Sequence, residues 1–520
     1  MALRRSPTSS CVSRTKGSCL KYLLGLALPV SVLAYLNWAD DVGVVKWAVL
    51  AFVAVPCVVY LLLGSWEWDW RDAGVLAFLA WCLVSLAWSP DWRQGVVDLQ
   101  HVALLAILYL TFRRVELPLW GIAAAALLAV TTFLPYGGTF NENTQAEFLI
   151  VCLPLLPRKG GFGLCLSALA VVILWFVLQK SDSHMGLIAL GAVIGSFIIS
   201  RLRYKPLYLL VFLSVVGVLV TLVLIEVPVV RWSFLSRVQL YAGTVEMWAN
   251  SPLWGNGLGS FDYLWPHFQN ADVKIFPGMG YLSANDATVF PGAAHNEFLQ
   301  VLAETGIIGF GLFLAIVLPR WKRNPRVWAS LGLLALFMAT DQTLHDPEIA
   351  FLGAALLASV TPLSPKRVQV PVFAKLSAFP MLLAAFASVY LSVRHMDAEV
   401  RYGLSAQLHE KAPQIAFGEI LDAYRTMPLD KRYRLQIFRS LSEGMLREKI
   451  KTDWQTVDLF YEISKTAIPE GAGLLISRMF ILARGDRCLD ECEKIVSVLK
   501  ANDFRLWEVN AVMKAWAQRA

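Results

Sequence analysis

The chain has 520 residues, of which 57% are hydrophobic and only 16% are charged. Soluble globular proteins average about 45–50% apolar and about 25% charged residues, so this composition excludes an ordinary soluble enzyme. The net charge of +7 is spread over a long chain and does not indicate a nucleic-acid partner. The numerous aromatic residues suit membrane–water interfaces, so we expect a membrane protein in contact with lipid.

Apolar runs long enough for a bilayer core of about 30 Å recur along most of the chain. They predict an all-α polytopic membrane protein with about 12–13 transmembrane helices. The thirteen predicted spans are centred on residues 22–36, 44–63, 73–88, 98–112, 119–135, 145–157, 162–179, 184–200, 206–227, 296–318, 327–341, 347–361 and 372–392.

Positive charge alternates from one loop to the next. If the N-terminus is cytoplasmic, the inward segments hold 19 Lys and Arg residues, whereas the short outward loops hold only Arg93 and Lys180. Cytoplasmic loops collect Lys and Arg. The alternation therefore predicts a multi-pass membrane protein whose N-terminus is cytoplasmic and whose outward segments lie in the periplasm if the cell is Gram-negative.

The same topology divides the chain into three parts. Residues 1–21 form a basic cytoplasmic tail, residues 22–393 form the transmembrane domain, and residues 394–520 form a periplasmic module. A long periplasmic loop, 228–295, interrupts the transmembrane domain. Apolar residues recur at helical spacing in the C-terminal module, which predicts a helical soluble domain, with tetratricopeptide-like helix pairs as one option. The spacing of Cys488 and Cys492 leaves open whether they are bridged.

Titratable side chains cluster where the long outer loop ends and the tenth span begins. The sequence from His295 to Gly309 reads H-N-E-F-L-Q-V-L-A-E-T-G-I-I-G. A histidine at the outer end of a span is a candidate for function, because an imidazole next to a wet surface titrates near neutral pH. Glu304 is too far along the same helix to contact His295 and is expected to be structural, as are Gly306 and Gly309, which favour close helix packing.

This run strongly resembles the signature H-[NS]-x-x-L-x-x-x-x-E-x-G-x-x-G of the O-antigen ligase and polymerase superfamily, which includes bacterial protein O-oligosaccharyltransferases. Three further stretches are similar to family elements in the same order along the chain. They are 138–146 with Asn141 and Asn143, the segment from Arg237 to the glycine-rich 255–261, and 344–347 with His345 and Asp346. We read the glycine-rich stretch as a fold element rather than a phosphate-binding turn.

One position departs from the family pattern. Members commonly carry a Ser-Arg pair at the outer start of a span, and here His184 occupies the position of the arginine. An arginine is always charged and can bind a phosphate with two hydrogen bonds, whereas a histidine is charged only when its pKa is raised.

The resemblance implies transfer of a glycan from an undecaprenyl-diphosphate carrier to a hydroxyl on the periplasmic face, without a metal or other cofactor. In this interpretation His295 is the base, and Arg237, with Arg231 and His184, contacts the diphosphate. Asn141, Asn143, Asn296, His345 and Asp346 are motif residues with supporting roles, and His345 and Asp346 are expected to orient each other.

The acceptor is left open among lipid A core, a growing lipid-linked glycan and a protein hydroxyl. An alternative of another class is a transporter of small anions. The sequence has no matching halves of the kind that transporters with inverted repeats show.

Overall fold

The computed structural model describes residues 8–34, 42–63, 67–68, 70–133, 142–155, 228–268, 293–317, 324–361, 368–369, 379–446, 449–467 and several short pieces between 475 and 497. The predicted spans 162–179, 184–200 and 206–227 lie outside these residues. The statements below concern the described part of the chain.

The described chain is built from helices. They are α1 Thr8–Leu33, α2 Val42–Leu63, α3 Trp70–Ser85, α4 Trp92–Phe112, α5 Leu119–Phe133, α6 Glu142–Cys152, α7 Pro228–Asn250, α8 Phe261–Leu264, α9 Glu297–Val317, α10 Pro325–Met338, α11 Pro347–Val360, α12 Phe379–Leu408, α13 Pro413–Thr426, α14 Lys431–Leu446 and α15 Trp454–Lys465. Two short strands, β1 Glu67–Trp68 and β2 Val368–Gln369, pair antiparallel.

Each of the ten predicted spans that fall on described residues corresponds to a helix. Four helical stretches are long and apolar enough to cross a membrane, namely Gly43–Leu63, Trp92–Phe112, Glu297–Val317 and Phe379–Leu408, and five shorter apolar helices accompany them. The prediction of an all-α polytopic membrane protein is confirmed. The count of 12–13 spans stays a prediction.

Two segments contain more helix than the sequence analysis expected. Helix α1 begins at Thr8, within the predicted tail, and α7 occupies the first third of the predicted loop 228–295. A helix can extend from an apolar segment into a neighbouring basic segment at little cost in free energy, since Lys and Arg are good helix formers.

Ion pairs and hydrogen bonds mark two opposite ends of the transmembrane helices. At one end, Arg113 and Arg114 after α4 bind Asp72 of α3, at 2.5 and 3.1 Å, and the Arg113 Nε donates to the carbonyl of Thr361 after α11. At the other end lie the N-termini of α4, α9 and α11. The structure therefore places Arg113 and Arg114 and the signature histidine at different ends of the helices.

Helix α12 joins the transmembrane domain to the C-terminal module. Its 30 residues correspond to roughly 45 Å of helix, longer than a bilayer core of about 30 Å, so it continues beyond the membrane. Helix α13 packs on α12, α14 packs on α13 and α15 packs on α14. The tetratricopeptide-like option stays a prediction.

Cys492 is disulfide-bonded, and Cys488 lies outside the described residues.

The C-terminal module docks on the end of the membrane domain that carries the signature histidine. Its core, around Ile420, Ile437 and Phe438, also includes Val97 of α4. Arg434 of α14, with a side chain 1% exposed, binds both carboxylate oxygens of Asp91 at 2.9 and 2.7 Å. Lys431 pairs with Asp262 of α8. The two parts therefore share a packed, ion-paired interface.

Candidate active site

The backbone at His295 is held in an unusual conformation just before α9. Its φ of 48° lies in the left-handed region, which a residue other than glycine rarely adopts. Asn296 fixes the start of the helix, because its side-chain oxygen accepts from the Leu299 amide at 3.0 Å and its side-chain amide donates to the Ala339 carbonyl at 3.0 Å. The Tyr241 hydroxyl donates to the His295 carbonyl at 2.9 Å. Such strained residues cluster at functional sites.

Two side chains from different parts of the chain meet at Asp341, which lies in the turn between α10 and α11. The His295 Nδ1 lies 2.7 Å from one carboxylate oxygen, and the Arg237 Nη2 of α7 lies 3.8 Å from the other. The Arg237 Nε also donates to the carbonyl of Thr340 at 3.1 Å. All three side chains remain between one fifth and one third exposed. The structure thus brings His295 and Arg237 together, and Asp341 joins them.

The charge of Asp341 defines what His295 can do. Burial by itself raises the pKa of Asp341, but the hydrogen bond from His295 and the charges of His295 and Arg237 hold that pKa below its ordinary value. Asp341 is therefore a carboxylate at neutral pH and accepts a hydrogen bond from the Nδ1–H of His295. In that tautomer the Nε2 atom carries the lone pair and can accept a proton from a substrate.

His345 and Asp346 do not orient each other, so that prediction is wrong. The His345 Nδ1 lies 3.2 Å from the carboxylate of Glu297, which also accepts from the Leu344 amide at 2.7 Å. Asp346 instead accepts from the Thr144 hydroxyl of α6 at 2.8 Å. Burial alone lowers the pKa of His345, yet the Glu297 charge raises it to about 9. Burial raises the pKa of Asp346 to about 8.

The motif residues Glu304 and Gly306 hold the glycine-rich stretch against α9. The Glu304 carboxylate accepts from the amides of Gly259 and Phe261, at 3.2 and 3.3 Å. Gly306 has a φ of 67°, and a Cβ there would lie 2.3 Å from the Leu253 carbonyl oxygen. Helix α9 is interrupted at this point, and the amide of Ile307 donates to Pro252 instead. These contacts hold the glycine-rich stretch and α9 together.

Gly309 and Asn256 complete the same packing. A Cβ at Gly309 would lie 2.7 Å from the Trp81 ring of α3, so glycine permits this close approach. The Asn256 side-chain amide donates to the carbonyls of Met247 and Ala303, at 2.8 and 3.0 Å. The 252–261 turn thereby links α7, which contains Arg237, to α9, which begins two residues after His295.

Several predicted site residues cannot be placed. His184 and Asn141 lie outside the described residues. Arg231 is in α7 and Asn143 is in α6, but the positions of their side chains are outside the described part of the structure. Their proposed roles stay predictions.

The sequence analysis missed Asp341, Tyr241 and Glu297 as members of the site. Asp341 is the last residue of the predicted span 327–341, only four residues before His345, and this proximity could have indicated it. Glu297 is inside the signature itself, at a position that the signature leaves free. Nothing in the spacing indicated Tyr241, which is brought to the site only by the packing of α7 on α9.

Residues 169–314 match the profile of the O-antigen ligase family. This segment is therefore similar to O-antigen ligases. It contains Arg237, His295 and the glycine-rich stretch, whereas Asp341, His345 and Asp346 follow its end. The motif-based resemblance is confirmed, and the O-antigen ligase match supports a membrane protein that transfers glycans in O-antigen or related polysaccharide biosynthesis. A comparison with curated proteins finds no match.

Proposed function

We propose that this protein transfers a glycan from an undecaprenyl-diphosphate carrier to a hydroxyl acceptor on the periplasmic face of the bacterial inner membrane. The observation that carries the proposal is the hydrogen bond between His295 and Asp341, 2.7 Å long, with Arg237 on the other side of the same carboxylate. The family match and the placement of this cluster at the end opposite Arg113 and Arg114 support it.

The proposed chemistry needs proton removal and stabilisation of a leaving diphosphate. The Nε2 atom of His295 takes the proton of the acceptor hydroxyl, whose oxygen bonds to the anomeric carbon of the donor sugar. The bond between that carbon and the phosphate oxygen breaks, and the diphosphate leaves with the bonding electrons. Arg237 lies within reach of the same region and stabilises the growing negative charge.

Asp341 is a positioning residue in this scheme. Its carboxylate fixes the tautomer and ring orientation of His295 and stabilises the imidazolium that forms during the reaction. Arg231 and His184 remain proposed as further diphosphate contacts. Metal independence is also part of the proposal: within the described residues, no group of three His, Cys, Asp or Glu side chains is arranged to hold a metal ion.

The proposal is tested by the variants His295→Ala and Asp341→Asn. General-base catalysis contributes about 10²–10⁴-fold, so both variants should lower kcat by roughly that factor while the protein remains folded. The measurement is glycan transfer by the full-length protein in membranes that contain lipid-linked glycan and acceptor lipids. His267→Ala is the matched control, since His267 is an exposed histidine outside the cluster.

Near-parental transfer by His295→Ala would refute the assignment of the base. Movement of small anions without any glycan transfer would favour the transporter alternative. For the acceptor, a protein with Ser/Thr sites is compared with lipid acceptors in the same assay, because protein O-oligosaccharyltransferase activity is the alternative within the family.

A further inference from the structure

Helix α7 brings two side chains to the proposed reaction centre. Arg237 and Tyr241 are four residues apart, a spacing that makes side chains neighbours on the surface of a helix. Arg237 contacts the Thr340 carbonyl and the Asp341 carboxylate, whereas the Tyr241 hydroxyl contacts two carbonyl groups of the backbone. The proposed chemistry gives Arg237 a role and leaves Tyr241 without one.

The Tyr241 hydroxyl lies between the two segments that carry His295 and Asp341. Its oxygen is 2.9 Å from the carbonyl oxygen of His295 and 3.2 Å from that of Ala339, two residues before Asp341. A hydroxyl has one proton to donate, so the two carbonyls share it in a three-centre hydrogen bond. This shared donor ties the segment before α9 to the turn after α10.

The His295 carbonyl depends on this donor. Among the donors in the described part of the chain, Tyr241 is the one that reaches it, whereas the Ala339 carbonyl also accepts from the Asn296 side-chain amide at 3.0 Å. A partly buried carbonyl without a donor costs free energy. Without the Tyr241 hydroxyl, the His295 carbonyl would therefore turn towards water.

The direction of that carbonyl is linked to the strained backbone of His295. Its φ of 48° lies in the left-handed region, and such a conformation persists only where the surrounding contacts hold it. The residues on both sides are anchored, Ala294 through its amide to the Gln300 side chain and Asn296 through its own side chain. The contact of Tyr241 acts on the backbone of His295 itself. Rotation of the carbonyl would therefore move the imidazole away from its carboxylate partner.

The position of Tyr241 is itself fixed by the packing of α7. Its ring packs against a buried cluster that includes Leu240, Phe261 and Trp265. The Trp265 indole N–H donates to the Leu240 carbonyl at 3.3 Å, and a Cβ at Gly243 would lie 2.9 Å from the same indole nitrogen. Helix α7 and the 261–268 segment are thus in close contact, which holds the hydroxyl in place before any substrate binds.

Tyr241 acts in this arrangement as a hydrogen-bond donor rather than as a base. Burial raises the pKa of Tyr241, an effect to which the Asp341 charge adds and which the Arg237 charge opposes. The hydroxyl therefore keeps its proton at neutral pH, and it must be protonated to bind two carbonyl oxygens. A tyrosine that served as a base would need a lowered pKa instead.

We propose that Tyr241 is a positioning residue for the transfer reaction, because its hydroxyl holds the His295 backbone in the left-handed conformation that sets the imidazole against Asp341. The inference rests on the proposed function, in which His295 is the base. Helix α7 then serves the reaction twice, through Arg237 at the leaving diphosphate and through Tyr241 at the backbone of the base.

The variant Tyr241→Phe tests the proposal in the full-length protein in membranes. Phenylalanine keeps the ring and its packing and removes the hydroxyl. A misplaced catalytic group loses up to about 100-fold in rate, so we expect kcat to fall by about 10- to 100-fold while KM for donor and acceptor changes by less than about twofold. An unchanged kcat, in a variant with the melting temperature of the parent, would overturn the proposal.

Thr244→Val is the matched control. It removes a buried hydroxyl one turn further along α7, whose hydrogen bond to the Leu240 carbonyl, 2.6 Å long, stays within the helix. We expect the kcat of the parent in this variant. An equal fall of kcat in Thr244→Val and Tyr241→Phe would show a general effect on α7 and would contradict a specific role of Tyr241.

Solid-state NMR of the nitrogen-15 histidine-labelled protein in nanodiscs reports the orientation of the ring without any turnover. The Nδ1–H signal of His295 is assigned by its absence in His295→Ala, and its proton should show the downfield shift of a hydrogen bond to a carboxylate. This shift should shrink in Tyr241→Phe and persist in Thr244→Val. A signal that is identical in Tyr241→Phe and the parent would refute the proposal even if kcat falls.

The double variant Tyr241→Phe with Asp341→Asn measures whether the two residues act together. If Tyr241 holds His295 against Asp341, its hydroxyl has little left to do once Asp341 is an amide, so the double variant should transfer glycan about as fast as Asp341→Asn alone. Losses that multiply would contradict the proposal. Near-parental transfer by His295→Ala would instead refute the proposed base, while the NMR signal still decides whether Tyr241 orients the ring.

Discussion

At the scale of single residues, the site is defined by the pairing of each histidine with one carboxylate. His295 is paired with Asp341 and Glu297 with His345, so the two residues that flank the start of α9 are each held by a residue of the segment between α10 and α11. The left-handed backbone at His295 separates its side chain from that of Glu297, only two residues later. The strained backbone therefore directs neighbouring side chains to two distinct pairs.

The His345–Glu297 pair should make stability depend on pH at the alkaline side. Glu297 and Glu304 of α9 and Asp98 of α4 act on His345 and raise its pKa from 6.5 to about 9. A pKa raised by folding contributes stability that is complete below the unfolded pKa of 6.5 and is lost as the pH rises through about 9. We expect the melting temperature of the parent protein to fall between these two pH values.

His345→Gln should flatten this pH dependence, because glutamine does not titrate. The measurement is thermal unfolding of the full-length protein in detergent at several pH values from 6 to 10, for parent and variant. Equal losses of melting temperature in the two proteins would contradict the assignment of the alkaline transition to His345.

At the scale of elements, the interruption of α9 is the feature on which the site depends. The 252–259 turn replaces the helical hydrogen bonds that are lost around Gly306: the amides of Asn256 and Gly257 donate to the carbonyls of Ala303 and Glu304, at 3.0 and 2.8 Å. Gly255 and Gly306 face each other, and a Cβ on either would lie within 2.5 Å of the backbone of the other segment. The glycine-rich turn and the signature in α9, although far apart in sequence, thus pack together as one structural unit.

Gly306→Ala should destabilise the protein strongly. A side chain at φ 67° and ψ −175° costs about 1–3 kcal/mol in backbone strain, and its Cβ would also collide with the Leu253 carbonyl. The expected result is a lower melting temperature and a lower yield of folded protein. Gly311→Ala, in the regular part of the same helix, should leave stability unchanged or raise it by about 0.5–1 kcal/mol. Equal behaviour of the two variants would show that the interruption of α9 is not required.

At the scale of the whole molecule, the C-terminal module is held on the membrane domain by buried ion pairs. Arg434 contacts Asp91 before α4, the carbonyl of Leu429 and the carbonyl of Thr466. The Gln100 amide of α4 also donates to Ser392 of α12 at 2.8 Å. Because these contacts join segments of both parts, the position of the module is coupled to the outer ends of the transmembrane helices.

Arg434→Met should loosen the module. Removal of one partner of a buried ion pair costs about 3–5 kcal/mol, because the other charge stays buried without compensation. We expect faster hydrogen exchange in α13 to α15, and partial recovery in the double variant Asp91→Asn with Arg434→Met. Arg439→Ala is the control: Arg439 is exposed and pairs with Glu443 one turn away, a type of pair that contributes little. Unchanged exchange in Arg434→Met would contradict a docked module.

The sequence by itself determined the membrane class and the helices of this protein. Apolar runs of bilayer length and the alternation of Lys and Arg are local properties, and the ten spans that can be compared correspond to helices. The signature from His295 to Gly309 indicated the family for the same reason, since its spacing within one segment is independent of the rest of the fold.

Only the tertiary structure decided the partners of those residues. Asp341, Tyr241 and Glu297 reach the site, and His345 and Asp346 turn to different neighbours, because the contacts join helices that are far apart along the chain. Periodicity specifies which face of a helix is apolar, but it does not specify which other helix that face meets.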